Sequence, residues 1–279
     1  MAYLAPRPGG IYVDCTLGAG GHAQAILERG GMVIGLDRDP DAVAAARARL
    51  SAYRDRVTIV QAKFSRIAEV VGGLGFANVD GCLWDLGLSS YQVDAPGRGF
   101  AYQTDGPLDM RMGKEGKTAA ELLAELDEQE LKRILREYGE ERWAGRIAAF
   151  IVAARERRPI TTTGQLVEII RDAIPAAARR RGGHPARRTF QALRIAVNDE
   201  LQELRLSLAA ARPLLAPGGR LVAISYHSLE DRIVKTAFAD MASNREFLLL
   251  TKKPVAPQPE EVRANPRSRS ARLRAVQKA

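Results

Sequence analysis

The stretch YVDCTLGAGGHA, Tyr12–Ala23, carries a strand, a glycine turn and a helix start in twelve residues. It opens as a short apolar run, meets one acid at Asp14, and turns through Gly18, Gly20 and Gly21 into a helical pattern that starts near His22. Glycines after a strand let the backbone approach a ligand closely, and the helix that follows presents free N–H groups to it. Gly18, Gly20 and Ala23 satisfy the loose dinucleotide pattern G-x-G-x-x-G/A. On these residues alone the turn holds a dinucleotide, a methyl-donor nucleoside, or nothing but a tight bend.

Strands are expected at Ile11–Cys15, Met32–Leu36, Val57–Gln61 and Val79–Trp84, with helices between them at His22–Arg29, Pro40–Tyr53 and Ser65–Val71. That alternation argues for a parallel sheet with helices on both faces. DAPGRGFAYQTDGP, from Asp94 to Pro107, is turn-rich and reads as a loop. Only helices follow it. Thr118 with Glu121, Asp127 with Glu130, and Thr162 with Gln165 have capping-box spacing. A helix from Trp143 to Arg157 stops before Pro159. Residues 106–186 therefore read as an inserted all-helical domain, and 1–105 with 187–279 as the domain that carries the sheet. A long helix from about Arg188 to Leu214, the turn APGGR, a strand at Arg220–Ser225, a helix at Ser228–Met241 and a strand at Phe247–Thr251 complete the sheet domain. The Pro- and Arg-rich segment from Lys252 to Ser270 reads as extended.

Composition narrows the function classes. The 279 residues carry a formal charge of +9 and 46% hydrophobic residues. No apolar run is long enough to span a membrane, and no signal pattern opens the chain; a cytoplasmic protein is expected. Cys15 and Cys82 fit neither a disulfide scaffold nor a zinc spacing. His22, His184 and His227 are too scattered to suggest a metal, and none is expected. The basic excess is concentrated. Arg179, Arg180, Arg181, Arg187, Arg188 and Arg194 form one acid-free cluster, and five arginines and one lysine between Arg263 and the last residue form another. Such clusters favour contact with nucleic acid.

Asp37 ends the second strand in VIGLDRD, about twenty residues beyond the turn, where a carboxylate accepts from ribose hydroxyls. The ligand is then a nucleoside. Asp14, Thr16 and Leu17 lengthen the turn and make it more polar than in dinucleotide sites, which suits a cofactor with an amino-acid tail. Asp85, at the carboxyl end of the fourth strand in DGCLWDLGLSSYQ, stands beside the first strand, where open parallel sheets bind ligands.

Several longer stretches resemble one family. DCTLGAGGHA, GLDRDP, DLGLSSYQ, GPLDMRM, YGEERWAGRIA, RRTFQALRIAVNDEL, PGGRLVAISYHSLEDRIVK and NPRSRSARLR occur in family order from about Tyr12 to Arg274. They are similar to the bacterial 16S rRNA cytosine-N4 methyltransferases (RsmH, formerly MraW). The resemblance implies a Rossmann-like class I methyltransferase sheet with an inserted helical substrate-recognition domain. It implies S-adenosyl-L-methionine as cofactor, and 16S rRNA, within the small ribosomal subunit, as partner. The reaction implied is methylation of the exocyclic amine of cytosine 1402 in the decoding region. The chain departs from the family pattern at its start, MAYLAPRPGG, which lacks a His-x-Pro-Val-Leu segment, and at Lys63, Ala23, Tyr91 and Tyr226, the last standing where the family commonly has Phe.

Roles follow position by position from the resemblance. Gly20, Gly21 and His22 contact the methionine end of the donor, Asp37 holds the ribose, Phe64 lies against the adenine, and Asp85 and Gln92 close the site near the methyl group. Chemistry adds a requirement of its own. The cytosine amine is a poor nucleophile and must be aligned and relieved of a proton. Asp85 is the candidate. Ser89, Ser90, Arg111, Arg187, Arg188 and His227 are candidates for the RNA side. A nucleotide-dependent oxidoreductase, an RNA-binding protein with a vestigial pocket, and a methyltransferase acting on DNA or another RNA are the competing readings.

Overall fold

The computed structural model describes residues 1–89, 92, 95–179, 183–243 and 245–279. Contacts divide the chain into two compact units, Met1–Ser89 with Leu201–Ala279, and Ser90–Glu200.

The first unit is built on a sheet of seven strands: β1 Ile11–Asp14, β2 Met32–Asp37, β3 Val57–Gln61, β4 Val79–Asp85, β5 Leu215–Ser225, β6 Phe247–Leu249 and β7 Arg272–Lys278, in the spatial order β3-β2-β1-β4-β5-β7-β6. The pairs from β3 to β5 are parallel, and β7 is antiparallel to both its neighbours. Helices α1 Gly21–Leu27, α2 Pro40–Arg49, α3 Ile67–Gly73, α10 Glu200–Leu214 and α11 Ser228–Ser243 cover it. Successive strand residues point to opposite faces, and the two faces bury different helices. Val13, Ile34, Leu36, Cys82, Trp84, Leu221, Ala223 and Val276 pack with α3, α10 and α11 through Ile67, Leu204, Leu208 and Phe238. Tyr12, Val33, Leu83, Val222 and Ala275 pack with α1 and α2 through Ala23, Ile26, Leu27 and Ala46. Both cysteines are buried and free, and burial pushes their thiols up, so they behave as small apolar core groups.

The second unit contains α4 Ala119–Glu125, α5 Glu128–Gly139, α6 Ala144–Arg155, α7 Thr163–Ala173, the single turn α8 Ala176–Arg179, and α9 Arg187–Asn198. Thr118 with Glu121 and Thr162 with Gln165 form reciprocal capping boxes, and Asp127 accepts from the Glu130 N–H. Helix α5 packs on both α9 and α6, and α6 on α7. Inside this unit Asn198 donates to the carbonyls of Met110 and Arg194 and accepts from the Met112 N–H, tying α9 to the loop that precedes α4.

The structure differs from the sequence reading at several elements, among them β7, a strand the sequence reading did not give. Helix α9 falls in the second unit with α5, on which it packs. The long helix expected from Arg188 to Leu214 is two helices, broken at Asp199, whose φ of 51° is left-handed. APGGR is a bulge inside β5, where the register with β4 jumps from Leu215 to Arg220. The segment from Lys252 to Ser270, expected extended, contains a short helix, α12 Pro259–Ala264.

Candidate active site at the carboxyl edge of the sheet

The strand order reverses between β1 and β4, so their carboxyl ends flank a crevice. Asp14 ends β1 and is fully buried. Its Oδ1 accepts the Thr16 N–H at 3.2 Å, while Oδ2 has no hydrogen-bond partner among the described residues. Burial raises its carboxyl to about 6. The turn then reaches Gly18 and Gly20, with φ of 51° and 82°, conformations that side chains with a Cβ rarely adopt. The Gly18 N–H donates to Asp37 Oδ2 at 2.8 Å, and the Asp39 N–H donates to Asp37 Oδ1 at 2.9 Å. Asp37 thus fixes the turn and the start of α2 together. Its second lone pairs stay available to hydroxyl donors, and burial raises its carboxyl above the ordinary range.

Asp85 ends β4, with its N–H bonded to Thr16 Oγ1 at 2.6 Å. Each carboxylate oxygen has a side-chain partner. His22, in the first turn of α1, places Nε2 3.2 Å from Oδ2, and Tyr226, just past β5, donates its hydroxyl to Oδ1 at 2.9 Å. The bond to Asp85 raises the His22 imidazole, and burial raises the Tyr226 phenol. Glu230 anchors Tyr226 in turn: its Oε2 accepts the Tyr226 N–H at 2.8 Å and the His227 N–H at 3.3 Å.

Phe64 begins a 3₁₀ turn after β3 and is half-buried against the core. Its carbonyl accepts from Ser207 Oγ, which also accepts from the buried Trp84 Nε1. Lys63, beside it, pairs with Glu203 at 2.9 Å.

The structure gathers Gly20, His22, Asp37 and Asp85 around the ends of β1, β2 and β4, with Phe64 after β3. Asp14, Thr16 and Tyr226 are bonded into the same group; the sequence reading uses Asp14 and Thr16 only for the length and polarity of the turn and gives Tyr226 no role. An acid directly before the glycine turn is the available signal for Asp14; nothing local marks Tyr226. Ser89 is half-buried, and Ser90 lies outside the described residues. Gln92, Arg111, Arg187 and Arg188 belong to the helical unit. There Gln92 is buried, and Arg187 and Arg188 are exposed at the start of α9. The Arg111 guanidinium is taken up by both oxygens of Asp109 and by the carbonyls of Lys114 and Gly116. The arginine clusters are also partly internal: Arg194 is paired with Glu200, and Arg274 with Asp231. Arg180 and Arg181 lie outside the described residues.

Three carboxylates, Asp14, Asp37 and Asp85, converge on the crevice and interact through their charges. Such a field repels a pyrophosphate and attracts a cation. Asp14 Oδ2, buried and unpartnered, calls for a donor. A nucleoside carrying a sulfonium and an ammonium fits this set; a dinucleotide does not. Among the described residues no helix is long and apolar enough to cross a membrane.

Comparison with known proteins agrees with that selection. The sequence pattern of the MraW methylase family matches residues 1–279. Ribosomal RNA small subunit methyltransferase H from Symbiobacterium thermophilum is 56% identical, with 100% of this chain and 93% of that protein covered. The protein of the same name from Heliobacterium modesticaldum is 55% identical, covering 100% and 95%. That from Geotalea daltonii is 52% identical, covering 100% and 95%.

Proposed function

The chain belongs to the MraW methylase family, and from that premise we propose that it methylates the N4 amine of a cytidine in the decoding region of 16S rRNA. The cofactor is S-adenosyl-L-methionine, which supplies an electrophilic methyl group on a sulfonium that needs no acid to leave. Asp37 accepts from its ribose hydroxyls, Asp14 faces its cationic amino-acid end, and Gly20, Gly21 and His22 line that end. Phe64 lies against the adenine. The substrate class follows the name of the relatives, and the target cytosine 1402 follows the sequence resemblance.

The observation that carries the chemistry is the placement of Asp85 at the end of β4 with His22 Nε2 3.2 Å from one oxygen; in this chain Tyr226, where the family commonly has Phe, anchors the other. A carboxylate whose two oxygens are each fixed can still accept one further hydrogen bond on each. Asp85 accepts the N–H of the cytosine amine, turns the nitrogen toward the methyl group, and takes its proton as the new bond forms. Alignment of the two reactants supplies about 7–11 kcal/mol of the barrier reduction. The cytidine leaves its stack to reach the crevice, at a cost of about a few kcal/mol. Residues 106–186, within the helical unit, serve substrate recognition, with exposed Arg187 and Arg188 beside them, and the reaction takes place on the small ribosomal subunit in the cytoplasm.

The test is methyl transfer from labelled donor to small subunits from cells that lack the modification, followed by nucleoside mass spectrometry. Label in N4-methylcytidine at one decoding-region position is the expected result. Label in another nucleoside, or in DNA alone, overturns the assignment.

A further inference from the structure

A second feature adjoins Asp85 and has no part in holding the donor. A groove of about 560 Å³ runs between the start of α11 and the segment 256–272, and Tyr226, whose hydroxyl holds Asp85, forms one of its walls. Arg232 and Lys235 line it from α11, one turn apart, and Arg269 and Arg272 line it from the opposite side. All four are exposed. Two of the carboxylates nearby, Asp231 and Glu230, are held by other groups, while Glu261 also acts on Tyr226 through its charge. Asp231 is bonded through both oxygens to Arg274 at 2.7 and 3.1 Å. Glu230 caps the N–H groups of Tyr226 and His227 and lies 3.0 Å from His227 Nε2. His227 lines the groove too; its side chain is 10% exposed, and its Nδ1 has no hydrogen-bond partner among the described residues.

We propose that this groove, cationic on both walls and continuous with the methyl-transfer site through Tyr226, binds the phosphodiester backbone of the RNA next to the target nucleotide. The inference rests on the proposed RNA-methylating activity and adds where the substrate strand runs. The chemistry is specific in kind. Guanidinium and ammonium groups facing each other across a groove suit a chain of phosphates. A buried imidazole with an unmatched nitrogen suits a ribose hydroxyl or phosphate oxygen beside them. The arrangement also gives the closing arginine-rich segment a use that its composition alone does not define. Arg274 points inward to fix Asp231, while Arg269 and Arg272 stay at the surface to face the strand.

The test is binding of a fluorescein-labelled single-stranded RNA of decoding-region sequence to the full chain, read by anisotropy over a range of salt concentrations. The variants are Lys235→Gln with Arg269→Gln, and the charge-preserving pair Lys235→Arg with Arg269→Lys. Removing both cation–phosphate pairings should flatten the slope of log K against log salt by about 1.4, at about 0.7 for each. The expected result is a flatter slope and weaker binding in the neutral pair, near-parent behaviour in the charge-preserving pair, and unchanged donor affinity by calorimetry in both. If the parent binds and methylates RNA while the neutral pair keeps the parent slope, the groove assignment falls and the proposed function stands. If the parent binds neither donor nor RNA, both fall. If inorganic pyrophosphate displaces the RNA at equal ionic strength, the groove is a small-anion site, and the assignment to a nucleic-acid strand is overturned.

Discussion

The Tyr226 hydroxyl donates to Asp85 Oδ1 at 2.9 Å, linking the end of β5 to the end of β4. Because His22 occupies Oδ2, removing the tyrosine hydroxyl leaves Asp85 held from one side only. Tyr226→Phe should lower kcat severalfold while leaving the KM for the donor near its parent value. It should also cost about 1 kcal/mol of stability. Steady-state kinetics and urea unfolding check both.

Replacing the carboxylate itself is more severe. Asp85→Asn should reduce methyl transfer by about 10²- to 10⁴-fold, the range for loss of a positioned proton acceptor. His22 reports whether the geometry is right. The bond to Asp85 is the largest cause of its raised value, so the imidazole should titrate lower in the variant. Proton NMR of the His22 ring follows this directly.

Asp14 should make both stability and donor affinity depend on pH. Its folded value, about 6, lies above the ordinary 3.8 because burial disfavours the charge. The stabilising contribution is therefore present below about 4 and is lost as the pH rises through about 6. At neutral pH the unliganded protein carries a buried charge costing about 3 kcal/mol. Asp14→Asn should be more stable than the parent at neutral pH and bind the donor more weakly. Parent affinity should rise with pH through about 6, as the carboxylate that meets the cation ionises. Unfolding and calorimetry across that window test each part.

Ser207 connects two layers. It accepts from Trp84 Nε1 and donates to the Phe64 carbonyl, both at 2.9 Å. Ser207→Ala leaves a buried indole N–H without its partner, at a cost of about 1–3 kcal/mol. A lower Tm is expected, together with weaker donor binding as the turn bearing Phe64 loosens.

Gly139 ends α5 where α9 crosses it closely. A Cβ there would lie 2.6 Å from the Arg188 carbonyl oxygen, a backbone atom that cannot swing aside. Gly139→Ala should destabilise the helical unit by about 1–3 kcal/mol through overpacking. Proteolysis within residues 90–200, compared with the sheet unit, localises the effect.

Much of this is legible in the residues. The apolar runs of β1 to β4 stand out between turn signals, and Asp37 and Asp85 can be placed at strand ends because those strands stop cleanly. Long-range events are not legible. RLRAVQK, Arg272–Lys278, carries no clear strand signal, because its arginines resemble a solvated tail; it is a strand because it pairs along both β5 and β6 and buries Ala275 and Val276, with Arg274 meeting Asp231, distant in sequence. The break at Asp199 has no Gly or Pro to signal it, only an Asp in the left-handed region with its N–H on the Ile195 carbonyl. The roles of Tyr226 and Glu230 depend on what β5 is brought beside, which no local pattern encodes. Arg111 and Arg194 look like free cations in the sequence because their acids, Asp109 and Glu200, do not reveal from spacing that they face them.

Strand β7 sits between β5 and β6, although β6 precedes it in the chain. During synthesis the slot between those two strands stays open until residues 272–278 have emerged from the ribosome. Until then β5 presents an unpaired edge to everything around it, and β6 has no neighbour to hydrogen-bond. A nascent chain stalled before Arg272 is thus exposed to mispairing, and closure is slow because the joining segments are far apart in sequence. Aggregation of chains truncated before β7, but not of the full chain, would be the mark of this late step in the life of the protein.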